Sequence, residues 1–295
     1  MPWLVPRSIS PAGEAFLTRF LGDLAEQLDD PALERAETVR ETLAQMMHAA
    51  PYAELAERAP AAAFALDPRN VLFEAERYVV TDQKRFAHVK PLLWLWKSLD
   101  LTPLGQAVES GLRLRRMLAE RIFARAGKNL NIFQNVEVSV GYNLEVGDDV
   151  SIHRNVFIDD IGGVKIHDGA NLSDYVNVYS HTHSVLESPD VTLKETVIGR
   201  GVRVAYHATV LAGTVLSDDS MMGAMALVTR DFEPHVIGLG VPAKARIWKE
   251  RAGDPRFSSL AVDARSYTRA PEVQANPDFA EPRTETAGPE AVTKD

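Results

Sequence analysis

The amino-acid sequence predicts a mainly β chain, built as a solenoid of short strands and preceded by an α-helical N-terminal half. Three observations carry this expectation. Aliphatic residues recur every sixth position between residues 140 and 228, and apolar residues recur at helical spacing ahead of them. The composition, with 295 residues, 45% hydrophobic and 25% charged, is that of a globular chain with a real core. That balance excludes collagen, a pure coiled coil and wholesale disorder, and the length favours two folded units.

The helical half comes first. Phe16, Leu17, Phe20, Leu21 and Leu24 lie on one stripe of a helix that packs on a core. Ser10-Pro11, Asp30-Pro31 and Thr102-Pro103 each pair a capping side chain with a proline whose missing N–H costs nothing in a first turn, so each predicts a helix start. The segment 91–101, with Trp94 and Trp96, reads as a buried helix, with a subunit contact as the other reading. A helix from near Pro103 runs through LRLRRMLAERIFARAGK to a C-cap at Gly127. Its cations, Arg113, Arg115, Arg116, Arg121, Arg125 and Lys128 against Glu120, read as a solvated basic face that complements the helix dipole. Contact with an anionic ligand or a membrane surface is the alternative.

The hexads follow. Aliphatics stand at Val140, Val146, Ile152 and Ile158, then at Ile166, Leu172 and Val178, then at Ile198, Val204, Val210, Leu216, Met222 and Val228. The residues two places before them are nearly all small or β-branched. A period of six fits neither the 3.6 of a helix nor irregular hairpins, and describes short strands joined by tight corners into a coil. Each coil buries its aliphatics only against the next, so the ends need covers. The helical half is one expected cap, and RIWKERA after Pro242, as a short helix, is the other.

Two slips in the register stand out, because insertions in repeat proteins form loops on one side. Two residues are added at Asp159-Asp160-Ile161-Gly162-Gly163, and twenty residues separate Val178 from Ile198. The second slip contains Tyr179-Ser180-His181-Thr182-His183-Ser184. The expected domains are therefore 1–127, helical; 128–250, the solenoid with its C-terminal cap; and 251–295, an extension whose proline-rich, acidic end beyond Tyr267 has a disorder signature.

Several chemistries are excluded. The absence of cysteine rules out disulfides, Cys-ligated metals and a thiol nucleophile. A net charge of −9 argues against nucleic acid as partner. The first residues, MPWLVPRSIS, show no basic start followed by an unbroken apolar run, and no stretch reaches the roughly 18 apolar residues of a membrane span. A soluble cytoplasmic protein is the expectation, with membrane association left open.

The hexads, the loop SHTHS, the run MMGAMALVTRD at 221–231 and GLGVPAKARI at 238–247 together resemble the hexapeptide-repeat acyltransferases. Within that family they are most similar to the maltose/galactoside/xenobiotic O-acetyltransferases. The resemblance spans residues 127–250. It implies a left-handed parallel β-helix, a homotrimer and an acyl-CoA site between adjacent subunits, with acetyl-CoA as donor. The fold hosts sugar, antibiotic, amino-acid and lipid acyltransferases, so the acceptor is not implied by it. The N-terminal 125 residues do not match the short helical leader of the sugar acetyltransferases.

Moving an acetyl group from a thioester to a hydroxyl or amine needs a base for the acceptor's proton and a donor for the developing oxyanion. Histidine suits the first task near neutral pH. By the resemblance His183 is the general base of a direct transfer, with His181 as fallback, and Glu187 or Asp190 is a candidate to orient the imidazole. Asn155, Asp159 and Asp160 match residues that contact acceptor hydroxyls in the sugar acetyltransferases; ordinary corner chemistry is the other reading. His153, His167 and His207 fall at or just after corners and read as surface residues.

For the donor, small residues at Ala205, Gly223 and Ala224 suit close approach of a pantetheine arm. Thr229, Arg230 and Lys244 match positions lining the family's CoA channel; Arg230 replaces the usual lysine, keeping the charge and adding a fork. Arg203 and Tyr206 depart from the family pattern, which suits a different channel mouth and a longer acyl chain.

The expected function is CoA-dependent acyl transfer to a hydroxyl of a sugar or saccharide-like small molecule, without a metal. Two alternatives compete. A γ-carbonic anhydrase-like metalloenzyme shares the coil, but its H-x4-H pair is absent among His153, His167, His181, His183 and His207. A non-catalytic scaffold needs neither the loop histidine nor the closing G-V-P-A-K.

Overall fold

The computed structural model describes residues 8–184, 186 and 191–249. Glu187, Asp190 and the extension 251–295 lie outside the described residues. Among the described residues seven α-helices come first: α1 (Pro11–Asp29), α2 (Arg35–His48), α3 (Tyr52–Arg58), α4 (Pro60–Leu66), α5 (Gln83–Leu99), α6 (Pro103–Gln106) and α7 (Val108–Ile122). Two of the predicted caps form as expected. Ser10 accepts the Gly13 N–H at α1, and Thr102 accepts the Gly105 N–H at α6.

Elsewhere the helical half departs from expectation. Asp30 ends α1 rather than starting α2, because its carboxylate takes the Ala32 N–H two residues on and makes a turn. Helix α5 begins at Asp82, whose side chain accepts the Lys84 and Arg85 N–H groups, and it carries Pro91 in its interior. The single helix expected from Pro103 to Gly127 is broken at Ala107 and stops at Ile122. Gly127 sits instead in the first coil, where a Cβ would come within 2.3 Å of the Gly147 backbone.

The basic face of α7 is not simply solvated. Arg113 pairs with Glu14 on α1 and Arg121 with Asp29, while Arg116 donates to the Leu130 carbonyl of the first coil. Arg115 is only 1% exposed and is bonded to Asp100 and the Gly105 carbonyl. These cations pin α7 to its neighbours.

Among the described residues the solenoid forms three sheets of parallel strands. Sheet I contains Arg125–Ala126, Leu144–Val146, Val164–Ile166, Thr196–Ile198 and Val215–Leu216. Sheet II contains Asn131–Ile132, Ser151–Ile152, Asn171–Leu172, Arg203–Val204, Met221–Met222 and Val236–Leu239, with Lys244–Trp248 added at its edge. Sheet III contains Glu137–Val138, Phe157–Ile158, Asn177–Val178, Thr209–Val210 and Leu227–Val228. Corners turn through left-handed backbone at Asn129 and Asn135, Asp149 and Asn155, Gly169 and Tyr175, Gly201 and His207, Asp219 and Met225. Left-handed backbone strains Gly, Asn and Asp least, and these hold seven of the ten corners, with Tyr175, His207 and Met225 at the others.

The register has one more slip than the sequence suggests. Val138 pairs with Ile158, twenty residues on, and Val140 faces Asp160 through a 2.8 Å hydrogen bond. The first coil thus carries the same two-residue addition as the second. Both Val138 and Val140 are aliphatic, so the period can be carried back through either, and sequence alone takes the wrong one. Beyond Ile198 the coils shorten to three plain hexads, as in Val197 paired with Val215.

The hydrophobic core runs without a break from Leu92, Leu95, Leu114 and Leu118 of the helices into Val136, Val140 and Ile158 of the coils. The helical half is therefore the cover of the first coil. Trp96 ties the seam by donating its indole N–H to the Val136 carbonyl at 2.7 Å. At the other end, the short helix expected in RIWKERA is replaced by the strand Lys244–Trp248, antiparallel to Val236–Leu239. A strand satisfies the exposed backbone groups of that last edge, which a helix would leave unpaired. Among the described residues no helix is long and apolar enough to cross a membrane.

Candidate active site

The long insertion leaves sheet III after Val178. Its stem is tied by antiparallel pairing of His181–Thr182 with Thr192–Leu193. Beneath the stem lies Asp159, 1% exposed, which accepts the backbone N–H groups of Ser180 at 3.0 Å and His181 at 3.1 Å. The same carboxylate oxygen lies 2.5 Å from His181 Nδ1. Burial alone would push the Asp159 carboxyl up, but the His181 bond, the His181 charge and the backbone donors outweigh it and hold the group below its ordinary range. An ionised carboxylate on Nδ1 fixes that nitrogen as the donor and leaves Nε2 as the acceptor.

The other predicted acceptor residues separate. Asp160 is fully buried and accepts from the Val140 and Asn143 backbone, and burial pushes its carboxyl up to about 6. Asn155 occupies a left-handed corner, φ 58, yet also lines the cavity that holds His181. So Asn155 and His181 share a cavity, Asp159 stands behind the imidazole, and Asp160 braces the backbone. His183 is exposed, with its ring edge-on to His181 at 5.2 Å. Tyr78 approaches the His181 ring at 5.9 Å from the helical half.

Two of the histidines expected at the surface are half-buried. His153 stacks on Phe133 at 5.0 Å, and burial lowers the pKa of both His153 and His167. His207 is exposed, at a left-handed corner, stacked on Tyr175 at 4.7 Å.

The cavity itself, 760 Å³, lies between α5, the turn Glu74–Arg77 before it and the outer face of sheet III. Its aromatic wall is made of Phe73, Tyr78, Trp94 and Trp96 from the helices and Phe157 and Tyr179 from the coils. Sequence reasoning missed this wall. The available signal was the pair Trp94 and Trp96: Trp96 is buried in the core, whereas Trp94 is only partly covered.

On the donor side, Ala205 and Gly223 stack at one corner of successive coils, their N–H groups donating to the Met222 and Gly238 carbonyls at 2.9 Å. At Gly223 a Cβ would come within 2.3 Å of the Leu239 side chain, so the corner is tight. Ala224 beside it is exposed, and Thr229 follows the strand Leu227–Val228. Arg230 and Lys244, both exposed, line a second cavity of 510 Å³ together with Asp231 and Glu233. The two predicted cations are thus brought together, apart from the lining of the first cavity.

No family model matches the chain. The galactoside O-acetyltransferase of Escherichia coli (strain K12) is 28% identical over 134 residues, 44% of this chain and 66% of that protein. The matched segment is thus just under two thirds of that relative's length. A Staphylococcus aureus (strain COL) protein named as an acetyltransferase is 25% identical over 145 residues, 48% of this chain and 73% of its own. Over its repeat segment the chain is thus similar in sequence to proteins named as acetyltransferases. The solved maltose O-acetyltransferase of Clostridium difficile 630 shares the fold, with a TM-score of 0.50 at 22% identity over 61% of this chain and all of that one.

Proposed function

We propose that this protein transfers an acetyl group from acetyl-CoA to a hydroxyl of a small-molecule acceptor. A saccharide-like acceptor is suggested by the names of its galactoside and maltose O-acetyltransferase relatives. The observation that carries the reading is the His181–Asp159 pair at the edge of a ligand-sized cavity. His181 Nε2 takes the hydroxyl proton as the acceptor oxygen attacks the thioester carbonyl. The tetrahedral adduct expels the CoA sulfur, which leaves as the thiol with the proton returned by the imidazolium. Asp159 holds the Nδ1–H throughout and stabilises the imidazolium, so no covalent enzyme intermediate is needed.

His183, the base by resemblance, lies edge-on to His181 and is the second candidate. Arg230 and Lys244 supply charge for the CoA phosphates, and the small corner at Ala205, Gly223 and Ala224 admits the pantetheine arm. The exposure of His183, Ala224 and Arg230 fits a homotrimer in which a neighbouring subunit completes the donor channel. A cytoplasmic site of action follows from the CoA requirement.

Thiol release from acetyl-CoA tests the reading against a background free of protein thiols. His181→Ala should lower kcat by about 10²–10⁴-fold with CoA binding retained, the usual contribution of a positioned base. A larger loss in His183→Ala moves the base to that residue, and unchanged turnover in both variants overturns the mechanism.

A further inference from the structure

The aromatic cavity carries an inference about the acceptor that the repeat region cannot. Four of its six rings come from the helical half of this chain and two from the coils. Phe73 meets Trp94 edge-on at 6.3 Å, and Phe157 meets Tyr179 edge-on at 5.7 Å, so each wall is a braced aromatic surface. Five of the six rings stay only partly covered although they face the interior of the molecule. Uncovered aromatic surface of this kind is what a ring-bearing ligand buries on binding.

The polar groups of the wall point the same way. Lys97 is paired with Glu137 at 3.0 Å, Asp100 is bonded to Arg115, and Glu74 accepts the Tyr78 hydroxyl at 2.9 Å. Among the described residues that line the cavity, the one ammonium, that of Lys97, is thus already paired, and the three acids disfavour a carboxylate or phosphate on the acceptor. His181 stands at the coil side of this space, so a molecule filling it presents its near end to the imidazole.

We propose that the acceptor is amphiphilic and uncharged, with a hydroxyl-bearing head at His181 and an apolar or aromatic ring held between α5 and sheet III. The helical half then selects the acceptor in cis, on top of the acyl-transfer reading on which this proposal rests. A bare sugar uses the head position and leaves the aromatic wall unfilled.

The test compares two neutral glucosides with the same head, phenyl β-D-glucoside and methyl β-D-glucoside, on the full-length protein. Binding is followed by calorimetric titration and turnover by thiol release. The phenyl compound should bind about tenfold more tightly, the order expected for filling an aromatic site. Trp94→Ala should remove most of that preference, and Trp94→Phe, which keeps a ring, should retain part of it; circular dichroism checks that both remain folded. His181→Ala should keep the preference while losing turnover, which separates the two readings. Phenyl preference without any thiol release in the unaltered protein overturns the acyl-transfer reading alone. Equal binding of the two glucosides, binding of neither, or a preference unchanged in a folded Trp94→Ala protein overturns the proposal.

Discussion

Replacing Asp159 by asparagine isolates the step on which the mechanism turns. The side chain keeps its shape, and the amide oxygen can still accept the Ser180 and His181 backbone N–H groups now held at 3.0 and 3.1 Å. That same oxygen faces Nδ1, 2.5 Å away in the native protein, so the Nδ1–H tautomer is kept. What is lost is the negative charge of the carboxylate, which stabilises the imidazolium as His181 takes the acceptor's proton. The expected loss in kcat is about 10²–10⁴-fold, with the Km for acetyl-CoA little changed.

Stability should respond separately. The native Asp159 carboxyl titrates below its ordinary range, so its ionised form favours folding; that contribution is full above about pH 4 and fades as pH falls through the lowered value. The asparagine protein lacks it, so urea midpoints of the two proteins should lie apart at pH 7 and draw together as the pH is taken below about 4. A variant that keeps turnover within about threefold of the parent would refute the assignment of His181 and Asp159 as a working pair.

Asp160 should show the opposite pH trend. Its carboxyl is raised to about 6, so the native state holds a proton where the unfolded chain does not, and stability falls between about pH 4 and 6 and levels above. Asp160→Asn should flatten that slope, worth on the order of 2–3 kcal/mol, in urea titrations across the interval. Arg115→Met strands the Asp100 carboxylate under α7 and should cost about 3–5 kcal/mol in equilibrium unfolding. Lys244→Ala should weaken acetyl-CoA binding severalfold at low salt and less at high salt, since the exposed contact is ionic; equal affinities at both salts would remove it from the donor site.

The solenoid was legible because its physics is periodic. Each coil must bury two positions per strand and turn a corner every six residues, so aliphatics and Asn, Asp or Gly corners recur in register. Where two aliphatics compete, as Val138 and Val140 do, the period is ambiguous and only pairing decides. The cap strand Lys244–Trp248 was misread because its sequence suits a helix, while the free edge of sheet II sets its conformation. His181, His183 and Asn155 were visible as residues, but the role of Asp159 was not, since its placement under the insertion stem depends on a contact 22 residues away. The aromatic cavity was hidden for the same reason. Its walls join Phe73 and Trp94 to Phe157 and Tyr179, and no local spacing connects them.

The most direct test of the central claim is the thermal unfolding midpoint with and without saturating acetyl-CoA, because it needs no acceptor. A donor bound only by the folded chain stabilises it by about 2.7 kcal/mol at a hundredfold excess over Kd, a rise of roughly 4–5 °C for a chain of this size. The account predicts that rise, reduced in Lys244→Ala. A midpoint unmoved by millimolar acetyl-CoA would contradict it.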